Sequence, residues 1–129
     1  MIVLDTHIWV WWVQGDTRLT KQYQNWLQQY ESQGLEISIM SCWEVAKLVE
    51  IGKLTVPSPI EEWLTTALAY PGVQLLELTI PIIVESTKLP GFHKDPFDQV
   101  IVATARIYRC PLLTADAKIL AYSGVQTLK

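Results

Sequence analysis

Short apolar runs alternate with longer segments of mixed polarity along the chain, and this alternation predicts an α/β domain with a largely parallel sheet. Five apolar runs predict strands, at residues 2–5, 36–40, 73–78, 112–114 and 125–127. The segments between them predict helices at 6–13, 18–33, 41–51, 59–69, 81–89, 96–108 and 117–122.

Two of these helices have a distinctive apolar pattern. Residues 18–33 are polar except at positions spaced three or four apart, which places one apolar face on that helix; these positions are Leu19, Tyr23, Trp26, Leu27 and Tyr30. Residues 96–108 are apolar on nearly every side, so we expect this helix to be deeply buried.

Composition predicts one folded domain over residues 1–129, because half of the residues are apolar and six are tryptophan. The longest apolar run, residues 8–13, is far shorter than the roughly 20 residues that span a bilayer. We therefore expect neither a membrane segment nor a signal peptide. Cys42 and Cys110 suit buried thiols in a reducing compartment, which predicts a cytoplasmic protein.

The formal net charge of −3 argues against a nonspecific duplex-binding protein, which normally carries a strong basic excess. The charge does not exclude an enzyme that acts on nucleic acid, because a metal-binding cluster of carboxylates itself makes the total more negative.

Acidic residues recur just beyond the predicted strands. Asp5 ends the first strand, Glu44 lies four residues beyond the second, and Asp116 follows the fourth. Asp95 and Asp98 flank Pro96 at the start of the buried helix. Because open α/β sheets bind ligands at the carboxyl ends of their strands, this pattern predicts a negatively charged pocket there.

Each acid also has a purely structural interpretation. Ser41 and Glu44 fit a capping box, with the serine as cap and the glutamate reaching back. Asp95, Asp116 and Asp5 each fit the cap of the helix that follows, and Asp98 lies in a first turn, where the helix dipole favours an acid.

Each structural interpretation is reasonable alone. Together they leave a difficulty, because bringing several carboxylates close to one another costs electrostatic free energy. Two carboxylates about 4 Å apart repel by about 4 kcal/mol at an effective dielectric near 20. A hard cation with oxygen ligands, Mg²⁺ or Mn²⁺, relieves that repulsion. It can also activate a water molecule and neutralise phosphate oxygens, which is the chemistry of phosphodiester hydrolysis.

Other chemistries have little support. No HExxH or paired His/Cys spacing points to zinc, and no GxSxG, phosphate-binding glycine loop or dinucleotide fingerprint is present. We expect the six tryptophans to serve the core or a self-association surface in preference to stacking on bases.

The ordered set of motifs resembles the PIN-domain family, and within it the VapC-type toxins of bacterial toxin–antitoxin pairs. The matching pieces are Leu4-Asp5-Thr6-His7, Ser41-Cys42-Trp43-Glu44-Val45, Gly52-Lys53-Leu54, His93-Lys94-Asp95-Pro96-Phe97-Asp98 and Leu113-Thr114-Ala115-Asp116. Any one piece is weak, but their order and spacing agree over almost the whole chain.

The resemblance implies a three-layer α/β/α fold with a five-stranded parallel sheet in the order 3-2-1-4-5. It implies a Mg²⁺- or Mn²⁺-dependent endoribonuclease, often a homodimer, that a cognate antitoxin inhibits. By position, the metal and catalytic residues would be Asp5, Glu44, Asp98 and Asp116. Asp95, Thr6 and Ser41 would have a supporting role.

The predicted function is therefore an RNA-cleaving toxin of a toxin–antitoxin pair. Two alternatives stay open at this point. One is a metal-dependent DNA nuclease or small phosphatase that uses the same acids. The other is a catalytically silent module that only binds a partner through its aromatic surface.

Overall fold

A parallel sheet of four strands forms the centre of the computed structural model, which describes residues 1–129. The strands lie in the order β3-β2-β1-β4 and span Ile2–Leu4 (β1), Leu35–Ser38 (β2), Val73–Leu76 (β3) and Leu112–Leu113 (β4). The helices are Thr6–Gln14 (α1), Lys21–Tyr30 (α2), Ile39–Glu50 (α3), Ile60–Leu68 (α4), Ile80–Ser86 (α5), Pro96–Tyr108 (α6) and Ala117–Leu120 (α7). A short 3₁₀ turn, Glu31–Gln33, extends α2.

Helices cover both faces of the sheet, as side-chain alternation along β1 requires. Ile2 and Leu4 belong to a core that α1, α2, α3 and α4 complete. Val3 points the other way, into a second core with Ile101 of α6 and Ile119 of α7. The three-layer arrangement and the deep burial predicted for residues 96–108 are both confirmed, since residues 100–105 of α6 are all buried.

The strand order places the ends of β1 and β4 side by side. Leu4 is in register with Leu113, and the Asp5 N–H extends the ladder by donating to the Leu113 carbonyl at 2.9 Å. The chain leaves β1 for β2 on one side and reaches β4 on the other, so the sheet's topological switch point lies here. Ligands bind at this position in open α/β sheets.

The structure forms four strands where five were predicted, and residues 125–127 contribute an isolated parallel bridge between Leu112 and Thr127 beside β4. Its one supporting bond runs from the Leu112 N–H to the Gln126 carbonyl at 2.9 Å. A strand of two residues, as β4 is, offers too few backbone groups for a longer ladder. The predicted order of the other four strands is confirmed.

The start of α3 also differs from its prediction. The helix begins at Ile39 and not at residue 41, because the Ser38 hydroxyl caps it by accepting from the Met40 N–H at 3.1 Å. Ser41 is therefore an interior helical residue, and the predicted capping box of Ser41 and Glu44 is wrong. No helix of the fold is long and apolar enough to cross a membrane.

Candidate metal site

Asp5 is fixed at the switch point by two hydrogen bonds. Its Oδ1 accepts from the Thr6 N–H at 2.8 Å, which caps α1 as predicted. Its Oδ2 accepts from the Thr114 hydroxyl at 2.6 Å. The side chain is 4% exposed, and burial raises the pKa of Asp5 although these two bonds act in the opposite direction.

Thr114 joins the ends of β1 and β4 through a single hydroxyl group. While donating to Asp5, its Oγ1 accepts from the Asp116 N–H at 3.0 Å. Asp116 in turn caps α7, since its Oδ1 accepts from the N–H groups of Lys118 and Ile119 at 2.8 and 3.2 Å. One buried threonine therefore sets the spacing between two of the predicted site acids.

Glu44 lies on the second turn of α3 and is 9% exposed. Burial raises the pKa of Glu44, and the charges of Asp5 and Asp95 add to that effect while the nearby Thr6 hydroxyl and His7 oppose it. Its Oε1 is buried and has no hydrogen-bond partner. Since buried polar atoms are normally paired, this bare carboxylate oxygen calls for an explanation such as a bound ion.

Thr6 and Ser41 form a buried link beneath these two acids. The Thr6 hydroxyl donates to the Ser41 Oγ at 2.9 Å, and both side chains are fully buried. This bond holds the first turn of α1, which follows Asp5, against the part of α3 that carries Glu44.

Asp98 lies in the first turn of α6, and its neighbour Asp95 caps that helix. The Asp95 Oδ1 accepts from the N–H groups of Phe97 and Asp98 at 2.9 and 3.4 Å, so the predicted cap is confirmed. Burial raises the pKa of Asp98 to about 8, and the charges of Asp5, Asp95, Glu44 and Asp116 contribute to that rise.

His93 approaches Asp98 from the preceding loop. Its Nε2 lies 3.1 Å from the Asp98 Oδ2, although the N–H is not aligned on that oxygen. Its Nδ1 accepts from the Asp95 N–H at 3.4 Å, and its ring packs on Phe92 with centroids 4.4 Å apart.

The structure thus brings all four predicted site acids to one edge of the sheet, on four different elements. Each of Asp5, Glu44 and Asp116 is close enough to Asp98 for its charge to raise the pKa of that residue. No group of three or more His, Cys, Asp or Glu side chains is placed to hold a metal ion directly.

The donor set nevertheless suits a hard cation. All four side chains present carboxylate oxygens, which Mg²⁺ and Mn²⁺ prefer. The buried and partnerless Glu44 Oε1 would gain a partner from such an ion, and the mutual repulsion of the acids would be relieved. By the chemistry of their oxygens, though not by their placement in this structure, the residues present suit a divalent metal ion.

Two further residues belong to the matched motifs, but the sequence predicted no role for either. Thr114 follows two leucines and is unremarkable there, because threonine is common in strands. Its role depends on pairing β4 with β1, 109 residues away. His93 stands two residues before Asp95, and only the folded loop turns its ring toward Asp98.

Two of the basic residues near the predicted site segments are already engaged. Lys47 pairs with Glu50 at 2.9 Å, and Arg106 pairs with Glu85 at 3.1 Å. None of the four site acids forms an ion pair with a lysine or an arginine.

Fold and site together define an α/β protein with a carboxylate cluster at the switch point of a parallel sheet. The family model for the PIN domain matches residues 2–125, and the chain belongs to that family. The resemblance inferred from the motifs is confirmed at this level.

Solved structures with the same fold include toxin–antitoxin complexes. VapBC2 from Rickettsia felis, bound to a DNA fragment from its promoter, matches with a TM-score of 0.71 and 18% identity, over 99% of this chain and 98% of that one. A toxin–antitoxin complex from Klebsiella pneumoniae gives 0.69 and 18%, over 100% and 97%. FitAcB from Neisseria gonorrhoeae gives 0.66 and 19%, over 100% and 97%. No curated protein sequence gave a match.

Proposed function

We propose that this protein is a Mg²⁺- or Mn²⁺-dependent endoribonuclease and the toxin of a toxin–antitoxin pair. The observation that carries the proposal is the cluster of Asp5, Glu44, Asp98 and Asp116, whose charges act on one another at the switch point of a PIN domain. The PIN domain is generally a nuclease fold, and a cluster of partly desolvated acids is what a metal-assisted hydrolase needs.

The acids have distinguishable tasks in this proposal. Asp5 is held rigidly by Thr6 and Thr114, so its carboxylate is oriented before any ion binds. Glu44 offers an oxygen with no other partner. Asp98 and Asp116 complete the donor set, while Asp95, Thr6 and Ser41 support the first turns of the helices that carry these acids.

The bound metal would supply an activated water and would neutralise the scissile phosphate of the RNA. No side-chain nucleophile is required, and hydrolysis would leave a 5′-phosphate and a 3′-hydroxyl. The protein's own part is to hold the carboxylates in place.

The partners in this proposal are the RNA substrate, a cognate antitoxin and a second copy of the chain. The structural neighbours support an antitoxin, since they are toxin–antitoxin complexes. A homodimer is supported by exposed apolar side chains on α5, where Ile80, Ile83 and Val84 are 76%, 45% and 42% exposed. Such a patch on a small protein marks an interaction surface.

The first test is calorimetric titration of Mn²⁺ into the purified, partner-free protein and into its Asp98→Asn variant. We expect saturable binding that the variant loses. Glu61→Gln is the matched control, because Glu61 is an exposed acid on α4 and its loss should leave binding unchanged. Absence of Mn²⁺ binding in the folded protein would overturn the metal assignment and leave the capping interpretations.

The second test is cleavage of structured and unstructured RNA with and without Mn²⁺, followed by mapping of the product ends. Asp5→Asn should abolish cleavage, and its circular dichroism spectrum should stay that of the parent because asparagine also caps helices. Cleavage of DNA or of terminal phosphates alone, with RNA left intact, would favour a DNA nuclease or a phosphatase.

A further inference from the structure

The six tryptophans differ sharply in their surroundings. Trp9 and Trp63 are buried and pack on each other, and Trp11, Trp12 and Trp26 are partly covered by the same core. Trp43 is different, because 55% of it is exposed. A large aromatic residue left in solvent, while five others are at least partly buried, requires an explanation other than the core.

Trp43 is held in place even though it is exposed. Its ring lies edge to face against Phe97, with centroids 5.4 Å apart and planes at 78°. Phe97 is itself partly buried and packs against the small core of α3, α5 and α6. The indole is therefore supported on one side and open to solvent elsewhere, so little side-chain freedom remains to be lost on binding a flat ligand.

The aromatic pair also borders the acid cluster through both helices that carry it. Trp43 directly precedes Glu44 on α3, and Phe97 directly precedes Asp98 on α6. The packed pair therefore joins α3 and α6 at the positions next to two acids whose charges interact. A nucleotide whose phosphate is held at the acids would bring an adjacent base near the indole.

The net negative charge of the chain makes aromatic stacking a more important source of RNA affinity than it is in a basic nuclease. With 10 Lys and Arg against 13 Asp and Glu, the chain lacks the basic excess from which many RNA-binding proteins draw affinity by neutralising phosphates. Stacking of bases on aromatic rings is the other general source of affinity for single strands, and it tolerates any base.

We propose that Trp43, supported by Phe97, is a stacking platform for an unpaired RNA base next to the scissile phosphate. This inference rests on the proposed function, since it assigns the substrate of that same site to single-stranded RNA. For Trp43 it departs from the expectation that the tryptophans serve the core or a self-association surface in preference to stacking on bases.

The test compares three forms of the protein, the wild type, Trp43→Phe and Trp43→Leu. Each binds a labelled 12-nucleotide single-stranded RNA and an abasic strand of equal length and charge, at low salt and in Ca²⁺, which takes the same oxygen ligands and neutralises the acids in place of Mn²⁺. Gel electrophoresis checks that the strands stay intact. Phenylalanine keeps a ring for stacking, whereas leucine keeps apolar bulk but has no ring. Trp12→Leu is the matched control, because Trp12 packs on Tyr70 and is not adjacent to any site acid.

Under the proposal, the wild type binds RNA more tightly than the abasic strand. Trp43→Leu raises the Kd for RNA by about 10-fold and leaves the Kd for the abasic strand unchanged. Trp43→Phe retains most of the affinity, and in Mn²⁺ the leucine variant shows a raised KM with kcat largely kept.

Two results would overturn the inference. Equal RNA affinity in all three forms would do so, and a shift of Trp43→Leu from dimer to monomer in sedimentation with unchanged RNA binding would assign Trp43 to a protein contact. Neither result would contradict the proposed function. That function would be contradicted by a different result, RNA that binds but is not cleaved in Mn²⁺.

Discussion

Asp98→Asn should stabilise the fold relative to the wild type as the pH rises, although it removes an acid that the proposed function needs. In the metal-free protein, Asp98 has a pKa of about 8 against an ordinary value of 3.8, because burial and four neighbouring acids disfavour its charge. Between these two values the folded state binds a proton that the unfolded state has released. The stability of the wild type therefore falls as the pH rises through this window.

The size of the effect follows from the same two pKa values. At pH 5 the folded form is nearly all protonated at Asp98, and at pH 8.5 it is mostly ionised. The wild type should lose about 4 kcal/mol between these pH values on account of this one group. Relaxation of neighbours and salt screening reduce the figure, so we expect at least about 2 kcal/mol.

The assay is urea unfolding in EDTA at pH 5 and pH 8.5, on the wild type, Asp98→Asn and the exposed-acid control Glu61→Gln. Asparagine does not titrate, so the variant should gain stability relative to the wild type as the pH rises, and Glu61→Gln should not. Parallel pH dependence of the wild type and Asp98→Asn would refute the reasoning, since it would mean that Asp98 carries no unfavourable charge in the fold.

Three further predictions follow from individual contacts. Thr114→Val should destabilise the fold by about 1–3 kcal/mol in chemical unfolding, because it leaves the buried Asp5 Oδ2 without its donor, and Thr114→Ser should restore most of the loss; equal effects of the two variants would contradict this. Mn²⁺ at about 100 times its Kd should add about 2.7 kcal/mol of stability to the wild type, and a chelator should remove it, with no such gain in Asp98→Asn. Asp95→Ala should cost about 1 kcal/mol of stability through loss of the α6 cap and Asp95→Asn should cost much less, so equal losses in thermal unfolding would count against the cap.

The arrangement of the sheet and the gathering of the acids could be predicted from the sequence for a simple physical reason. Acids placed directly after apolar strands must lie at the carboxyl edge of a parallel sheet, so the positions of Asp5 and Asp116 follow from local pattern alone. The caps at Asp95 and Asp116 also depend on neighbouring residues and could be predicted for that reason.

The rest depended on contacts between distant parts of the chain or on competing local patterns. Ile39 and Met40 continue the apolar run of β2, which conceals the helix start that the Ser38 hydroxyl imposes. The expected fifth strand is reduced to a single bridge beside β4, which has only two residues. The hydroxyl of Thr114 acquires its partner, 109 residues away, only through the tertiary fold. The ring of His93 meets Asp98, five residues away, through the particular turn of its loop.

Three of the acids at this edge are also helix caps, and this double use has a consequence for how the gene can change. Asp5, Asp95 and Asp116 each hold backbone N–H groups that asparagine would hold nearly as well. A single G-to-A change in the first position of an aspartate codon makes that replacement. One point mutation could thus remove a negative charge from the site while keeping the helices in place. The resulting inactive variants would remain folded and could still bind a partner protein.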